Sequence, residues 1–227
     1  MDQAHIDQLV GFFKQYKSLN YKKGEMIIHA YDQPGGIYYL DTGYVKMNSI
    51  LANGEELNLN IFKPGSYFPM VWAIAEVENV YSYQTMTEVV IYKAPKAELL
   101  AFLKDTPEIL YDLTRRILLG MDGLLTNIQY MLFGNAYSRI ASALLLCAKR
   151  FGEKKQNGTL SIELRLTHQD LANIAGLTRE TTTLAVAKLT EKKIIKQEQG
   201  LFIIYDIEKL SQETSVDKEL TSTPNTI

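Results

Sequence analysis

The sequence has few of the side chains that catalytic and metal-binding sites use. Its 227 residues include one cysteine, Cys147, and three histidines, His5, His29 and His168, which lie far apart in the chain. One cysteine cannot form a disulfide scaffold, an iron–sulfur cluster or a multi-thiolate zinc site. Three scattered histidines give no ligand cluster for a metal. We therefore expect no metal site, no cofactor and no catalytic residues.

Long apolar runs are also missing. No stretch approaches the roughly 18 to 20 apolar residues that a membrane span needs. Residues 1–8 carry two acids in place of the basic flank of a secretory signal. A hydrophobic content of 46% with 22% charged residues is typical of a folded protein, and the length suits either one large domain or two ordinary ones. We expect a cytoplasmic protein that does not contact membranes.

The net charge of −2 hides an uneven distribution along the chain. Residues 1–135 hold 11 basic against 15 acidic residues, whereas residues 136–210 hold 12 basic against 8 acidic ones. A basic C-terminal segment is compatible with a polyanionic partner, and an ordinary solvated surface explains the same excess equally well. The charge pattern therefore leaves both interpretations open.

The first half of the chain has the pattern of a small β-barrel or sandwich. Between Gly24 and Lys93, short runs of β-branched and aromatic residues alternate with turn-forming residues. Asn53-Gly54 is a strong hairpin signal because both residues tolerate a positive φ. The predicted strand runs are Met26–Ala30, Ile37–Leu40, Tyr44–Ile50, Leu57–Ile61, Tyr81–Met86 and Val89–Tyr92.

A long amphipathic helix is predicted after these strands. Asp105-Thr106-Pro107-Glu108 is a typical helix start, and Gly134-Asn135 is a typical break. Apolar residues recur between them at intervals of three, four and seven, as in a coiled coil. We expect this stripe to pair with a second copy of the chain; the alternative is that it packs only on its own β-domain. The stripe consists of Leu110, Leu113, Ile117, Met121, Leu124, Ile128 and Met131.

The segment from Leu166 to Leu189 has the features of a helix-turn-helix. Thr167 with Asp170 forms a capping-box pattern, Ala175-Gly176 suits a tight turn, and Thr178 suits the cap of a second helix. The second helix has an outward polar face at its N-terminus, where side chains can reach major-groove base edges. The strand, turn and strand predicted over residues 196–205 would form a wing.

Two stretches resemble known domains. The first resembles the β-roll of cyclic-nucleotide-binding domains through Lys23-Gly24-Glu25-Met26-Ile27-Ile28, Pro34-Gly35-Gly36-Ile37-Tyr38-Tyr39-Leu40, Thr42-Gly43-Tyr44-Val45-Lys46, Gly54-Glu55-Glu56 and Pro64-Gly65. The second resembles the winged helix of the cyclic-AMP receptor and fumarate-nitrate regulator (Crp/Fnr) family of bacterial transcription factors through Ala172, Gly176, Thr178-Arg179-Glu180-Thr181, Lys188-Leu189 and Lys192-Lys193-Ile194-Ile195.

The β-roll departs from the family where the family binds a cyclic nucleotide. Members that do so hold the ribose with a Gly-Glu pair and the phosphate with an Arg followed by Ser or Thr. Pro69 and Met70 replace the Gly-Glu pair here, and the first arginine of the chain is Arg115. Without that cation a cyclic nucleotide is not expected as effector. An aromatic and apolar set remains, which either fills the core or lines a pocket for a less charged effector: Phe68, Met70, Trp72, Tyr81 and Tyr83.

The resemblance also implies roles in the winged helix. Arg179 and Glu180 would read guanine and cytosine edges. The family often has an Arg at the position of Leu184, so Thr183 and Leu184 are expected to contact a thymine methyl instead. Thr167, Gln169 and Thr178 are expected to contact the DNA backbone.

These observations predict an α+β protein with four segments. Residues 1–105 form a cyclic-nucleotide-binding-like β-roll sensor, 106–134 a dimerisation helix, 135–210 a winged helix-turn-helix DNA-binding domain, and 211–227 a flexible tail. The expected function is a homodimeric regulator that binds double-stranded DNA at a pseudo-palindromic site and responds to a small-molecule effector of unknown identity, with RNA polymerase as a further partner. One alternative is a ligand-independent regulator with a vestigial sensor domain, and another is a cupin-type enzyme.

Overall fold

The computed structural model describes residues 3–50, 54, 56–156 and 158–214. The chain divides into two compact units, Met1–Gly120 and Met121–Ile227, and the division falls inside the long helix. The predicted turn at Asn53 lies outside the described residues. The predicted tail, residues 211–227, is described as far as residue 214, and its first two residues, Ser211 and Gln212, belong to a helix over Ile207–Gln212 instead. Each unit is described separately below.

The first unit contains β-strands enclosed by helices at both ends of the sequence. Its elements are α1 (Gln3–Lys14), β1 (Ser18–Tyr21), β2 (Met26–Ile28), β3 (Ile37–Thr42), β4 (Val45–Ile50), β5 (Glu56–Phe62), β6 (Tyr67–Phe68), α2 (Met70–Ala75), β7 (Ser82–Thr85), β8 (Val89–Ala94), α3 (Lys96–Asp105) and the start of α4 (Pro107–Phe133). Every predicted strand run overlaps an observed strand. The elements α1, β1, β6, α2 and α3 were not predicted from the sequence.

The strands form two four-stranded antiparallel sheets. One sheet has the order β1-β8-β3-β6 and the other has the order β2-β7-β4-β5. Strands that are distant in the sequence pair with each other. For example, Tyr39 of β3 lies opposite Tyr92 of β8. Such non-local pairing is the β-roll expected from the strand pattern.

The described residues of the first unit form two apolar cores, one on each side of β3. Tyr38 and Leu40 face a cluster inside the roll that also contains Phe68 and Tyr83. Ile37 and Tyr39 face a second cluster, which the helices α1, α3 and α4 cover. Strand β3 is therefore buried on both faces, which explains its continuous apolar sequence.

Helix α4 begins at Pro107 and ends at Phe133, as the sequence predicts. Its first turns pack on the β-domain, because Ile109 and Leu113 belong to the core that the helices cover. The prediction that Leu113 lies in a dimer contact is therefore wrong: its side chain is 1% exposed within its own chain. The heptad pattern alone cannot distinguish packing on the chain's own β-domain from packing on a second chain, because both favour an apolar residue at the same spacing.

The second unit combines helices with a third antiparallel sheet. After the end of α4 its elements are α5 (Ala136–Phe151), β9 (Gly152–Lys154), β10 (Leu160–Ile162), α6 (His168–Ala175), α7 (Arg179–Glu191), β11 (Ile195–Glu198), β12 (Leu201–Ile204) and α8 (Ile207–Gln212). The strand order is β11-β12-β10-β9. Asn135 caps α5 by accepting a hydrogen bond from the Ser138 amide, which confirms the predicted break.

The core of this unit forms around α5. Its apolar face contributes Ile140 and Leu144, which are fully buried together with Leu171 of α6, Leu189 of α7 and Phe202 of β12. Cys147 is buried on the same helix, and burial raises the pKa of its thiol to about 12. This cysteine therefore acts as a small apolar side chain. No helix within the described part of the chain is long and apolar enough to cross a membrane.

Candidate nucleic-acid interface and sensor cavity

The helix-turn-helix is formed by α6 and α7 and is held by caps at both helix starts. Thr167 accepts a hydrogen bond from the Asp170 amide while the Asp170 carboxylate accepts one from the Thr167 amide, which is a complete capping box. Thr178 accepts from the Thr181 amide at the start of α7. These caps satisfy amides that each helix start leaves without a backbone partner.

A glycine forms the turn between the two helices. Gly176 has φ 60° and ψ 48°, a left-handed conformation that glycine adopts without steric cost. The Gly176 and Leu177 amides both donate to the Ala172 carbonyl, which closes the end of α6. The predicted turn is therefore confirmed in its position.

The side chain of Arg139, on α5, forms hydrogen bonds to this turn. Its guanidinium donates to the carbonyl of Ala175 and, at 2.9 Å, to the carbonyl of Gly176. These two oxygens lie at the negative end of α6, where a cation is most favourable. The sequence analysis did not identify Arg139. Its signal is an isolated cation near the start of an otherwise apolar helix.

The outward face of α7 consists of the residues that the sequence predicts to read bases. Arg179, Glu180, Thr183 and Leu184 are all exposed, and Leu184 retains 73% of its accessible surface. The inward face of the same helix buries Thr182, Val186 and Leu189. Thus α7 is held by one face and presents the other, N-terminal face to its surroundings.

A histidine joins this outward face to two other elements. His168 Nδ1 lies 2.9 Å from Thr183 Oγ1 on α7, and its Nε2 lies 3.1 Å from Gln197 Oε1 on β11. The ring also packs near Phe202, with 6.4 Å between centroids. Sequence reasoning treated His168 only as an isolated histidine and did not identify this junction.

The three residues predicted to contact the DNA backbone are exposed at the starts of the two helices. Gln169 donates to Asn173 Oδ1 at 2.7 Å through one amide hydrogen. Thr178 lies 3.0 Å from the Thr181 hydroxyl. The Thr167 hydroxyl donates to Asp170 Oδ2 at 2.6 Å, so its proton is already used inside the capping box.

The wing is a two-residue hairpin between β11 and β12. Gln199 and Gly200 both have positive φ, 50° and 83°, as this type of turn requires. Lys196 forms an ion pair with Glu198 on the same strand. The wing therefore adds little net positive charge.

Two lysines at the far end of α7 are held by aromatic and acidic partners. The Nζ atoms of Lys188 and Lys192 lie 5.1 and 5.0 Å from the centroid of the Tyr137 ring. Lys192 also contacts both carboxylate oxygens of Glu213 at 2.8 Å. These contacts join the end of α7 to the start of α5 and the end of α8.

The first unit contains a cavity of about 340 Å³ beside α2. Trp72, Tyr81 and Tyr83 contribute to its wall as the sequence predicts, together with Pro69, Glu78 and Asn79. Burial raises the pKa of the Tyr83 hydroxyl well above its ordinary value. Asn79 donates to the carbonyls of His29 and Tyr81, at 3.2 and 2.9 Å, and so holds the segment that forms one wall.

Two of the predicted cavity residues lie elsewhere. Phe68 is 1% exposed and stacks on Tyr83, with 5.0 Å between ring centroids, inside the roll. Met70 is buried in the core under the helices. Their assignment to an effector pocket is therefore corrected: both are core residues, because the chain turns their side chains away from the cavity.

The charge around the cavity does not suit an anion. Among the described residues that line it, Glu78 is the one charged group. The nearby cation, Lys96, lies 5.0 Å from the Trp72 ring centroid and 3.5 Å from a Glu76 carboxylate oxygen. No group of three or more metal-ligating side chains occurs within the described ranges.

Helix α4 leaves much of its predicted stripe exposed. Leu110, Ile117, Met121, Leu124 and Ile128 retain between 37% and 55% of their accessible surface. The side chain of Met131 lies outside the described residues. Tyr111, Leu118 and Leu125 form a second exposed series with heptad spacing, which the sequence analysis missed.

Comparison with known proteins matches both units to described domains. Residues 18–106 match the cyclic nucleotide-binding domain, and residues 138–213 match the Crp-like helix-turn-helix domain. The chain belongs to the Crp/Fnr family of transcription regulators. The two domains occur in the order and at the positions where the β-roll and the capped helix pair are observed.

Similar proteins cover nearly the whole chain. A CRP-like cAMP-activated global transcriptional regulator of Mycobacterium tuberculosis is 28% identical over 200 residues, which is 88% of each chain. The global nitrogen regulator of Nostoc sp. is 26% identical over 85% of this chain and 87% of its own. A solved CRP/FNR-family regulator from Thermus thermophilus superposes with a TM-score of 0.69 at 22% identity, over 88% of this chain and 99% of its own.

Membership of the Crp/Fnr family confirms the predicted fold class and the predicted general function. The protein is a DNA-binding transcription regulator with a sensor domain. The similar proteins are transcription regulators and not enzymes, in agreement with the expectation that this chain has no catalytic residues. These matches favour the transcription regulator over the cupin-type alternative.

Proposed function

We propose that this Crp/Fnr protein acts as a homodimer that places α7 of each chain in the major groove of a pseudo-palindromic DNA site. The observation that carries this proposal is the two-faced packing of α7. Thr182, Val186 and Leu189 anchor the helix, while the apolar Leu184 remains exposed among polar neighbours. A large exposed apolar side chain at the start of a recognition helix suits contact with a thymine methyl.

Each exposed side chain on α7 has a separate expected role. Arg179 pairs with guanine, Glu180 accepts from cytosine, and Thr183 and Leu184 contact thymine methyl groups. Gln169 keeps one amide hydrogen and Thr178 keeps its place at a helix N-terminus for phosphate contacts. Thr167 joins these contacts when its hydroxyl turns away from Asp170.

Dimerisation is proposed through the exposed stripe of α4. Leu110, Ile117, Leu124 and their neighbours would lose their remaining exposed surface against the same helix of a second chain. Two α7 helices related by the dimer axis would then enter successive major grooves about 34 Å apart. Sedimentation at micromolar concentration should give twice the chain mass of 25.8 kDa, and a mass of 25.8 kDa would contradict the dimer.

The cavity beside α2 is proposed as the site of an effector that is not a cyclic nucleotide. An anion placed there would lose hydration next to Glu78, without a free cation in the wall to compensate. Aromatic walls and two tyrosines favour a neutral or cationic effector with a flat apolar part. The alternative is a regulator that needs no effector and whose sensor is vestigial.

One selection experiment tests these proposals together. Random double-stranded DNA is incubated with the purified protein, with and without a cell metabolite extract, and bound sequences are read. A symmetric site with two half-sites about one helical turn apart is expected. Recovery of asymmetric or random sequences would contradict the dimeric reading, and equal selection with and without extract would favour the ligand-independent alternative.

The effector site has its own test in thermal stability. A ligand that binds only the folded protein raises its stability by about 2.7 kcal/mol at a hundred times its Kd. A panel of neutral, cationic and anionic metabolites should stabilise the protein only in the first two classes. Trp72→Ala should abolish the shift, whereas Tyr205→Ala, in the other unit, should retain it. Stabilisation by cyclic AMP would contradict the proposed class.

A further inference from the structure

The His168 side chain joins three elements of the DNA-binding unit. His168 is the first residue of α6, and its side chain contacts Thr183 on α7 and Gln197 on β11. Thr183 is one of the four exposed residues proposed to read bases. One of the contacts of His168 is therefore with a residue on the exposed face of α7 that is proposed to read bases.

The hydroxyl of Thr183 is fully occupied as a donor. Its single proton goes to the Arg179 carbonyl, four residues earlier, at 2.9 Å. Since Thr183 Oγ1 donates there, it must accept from His168 Nδ1, which lies 2.9 Å away. No proton is left on this hydroxyl for a base, and one of its lone pairs is used.

For recognition Thr183 retains one lone pair and its methyl group, and the methyl group is the part that can select thymine. Threonine carries its hydroxyl and its methyl group on the same Cβ atom. Two hydrogen bonds at the hydroxyl therefore fix the side-chain rotamer and with it the position of the methyl group. In the major groove, thymine is the base that carries a methyl group for apolar contact. A threonine held in this way discriminates by contact with that methyl group.

We propose that His168 is a positioning residue that makes Thr183 a reader of thymine methyl groups. This inference rests on the proposed function, since it requires α7 to lie in the major groove. It predicts one thymine in each half-site whose recognition depends on His168, although His168 itself does not contact that base.

The test replaces thymines of the selected site, one at a time, with deoxyuridine, which lacks only the methyl group. For the natural protein, affinity should fall about fourfold at one position in each half-site, as expected for one buried methyl. Thr183→Ser keeps the hydroxyl and removes the methyl, so this loss should disappear. Thr183→Val keeps the methyl without the hydroxyl, so the loss should remain and should no longer depend on His168.

Three variants of His168 separate its contact with Thr183 from its contact with Gln197. His168→Ala should abolish the difference between thymine and deoxyuridine at that position. His168→Asn places an amide nitrogen near Nδ1 and should restore the difference, whereas His168→Gln reaches toward the Nε2 position and Gln197 and should not. Should the alanine variant fail to fold, the comparison of the asparagine and glutamine variants decides the question.

Several results would overturn the inference. They are an unchanged difference in His168→Ala, a difference that persists in Thr183→Ser, or equal restoration by His168→Asn and His168→Gln. The second of these would assign methyl recognition to Leu184. A protein that binds no DNA sequence specifically would refute the proposed function itself, and this outcome is distinct because no deoxyuridine effect could then be measured for any variant.

Discussion

The strength of the proposed dimer can be estimated from the exposed part of α4. Leu124 keeps 44% of its accessible surface in the isolated chain. Full burial of a leucine contributes about 1.5 to 3 kcal/mol, so covering the remaining surface contributes about 1 kcal/mol per side chain. A symmetric interface contains two copies of each residue, so Leu124→Ala should weaken the dimer by about 2 kcal/mol, or about thirtyfold in Kd.

The assay is sedimentation equilibrium over a range of protein concentrations, with thermal unfolding of the same samples. Leu113→Ala is the matched control on the same helix, because Leu113 packs inside its own chain. It should lower the stability of the chain by about 2 to 5 kcal/mol with little change in the Kd of the folded protein. An unchanged Kd for Leu124→Ala would refute the proposed interface.

Three further predictions concern the DNA-binding unit. Arg179→Ala should cost about 1 to 3 kcal/mol of specific binding free energy and relax the preference at a single base pair. Competition with single-base variants of the site measures this, and Arg179→Lys, which keeps the charge, is the control. Arg139→Lys should lower stability by about 1 to 3 kcal/mol, because a lysine cannot reproduce the paired bonds to Ala175 and Gly176; urea unfolding measures this. Glu213→Gln should flatten the dependence of stability on pH in acid, measured by urea unfolding from pH 7 to pH 3.

The sign of the last prediction follows from the Lys192–Glu213 pair. Hydrogen bonding from Lys192 lowers the pKa of Glu213 below its ordinary value of 4.5. The stabilisation is therefore present above about pH 4.5 and is lost as the pH falls through the lower native pKa. Glu213 in turn raises the pKa of Lys192 above 10.5, so that contribution is present below pH 10.5 and is lost at higher pH. A steeper loss in acid for Glu213→Gln than for the natural protein would contradict this assignment.

Equal loss of affinity on every DNA sequence would contradict the role of Arg179 and would indicate a phosphate contact instead. For Arg139, the exposed Arg165 offers a comparison outside the turn. If Arg165→Lys and Arg139→Lys change stability equally, the paired bonds to the end of α6 contribute nothing specific.

Local sequence signals predicted the elements that depend on local chemistry. The start of α4 at Pro107, its end before Asn135 and the caps at Thr167 and Thr178 follow from residues within one helical turn. The hairpin of the wing likewise follows from Gln199-Gly200. Each of these features depends on backbone amides and dihedral angles that neighbouring residues satisfy.

Features that depend on distant residues were not predicted. Helix α1 is short and is stabilised by packing on a core that other elements provide, which its own sequence does not reveal. Leu113 and Leu124 have the same spacing and chemistry, yet one packs on the β-domain and the other remains exposed. Phe68 and Met70 likewise belong to the aromatic and apolar set from which a cavity wall was predicted, yet they lie in two different cores.

The candidate site shows the same division. Arg179, Glu180, Thr183 and Leu184 were predicted because they share one face of one helix. Arg139 was not, since its contact joins α5 to the end of α6 across more than thirty residues. The His168 junction requires α6, α7 and β11 at once, and no spacing within one element indicates it.

The central claim is that the outward face of α7 touches bases, and a photo-crosslinker placed on that face tests it most directly. Leu184→p-benzoylphenylalanine puts the reactive group at the exposed end of the face, and the same substitution at Thr190 puts it at the far end of the helix. We expect crosslinks from position 184 to a base within each half-site and none from position 190. Specific DNA binding without crosslinks from position 184, or with equal crosslinks from both positions, would contradict the account.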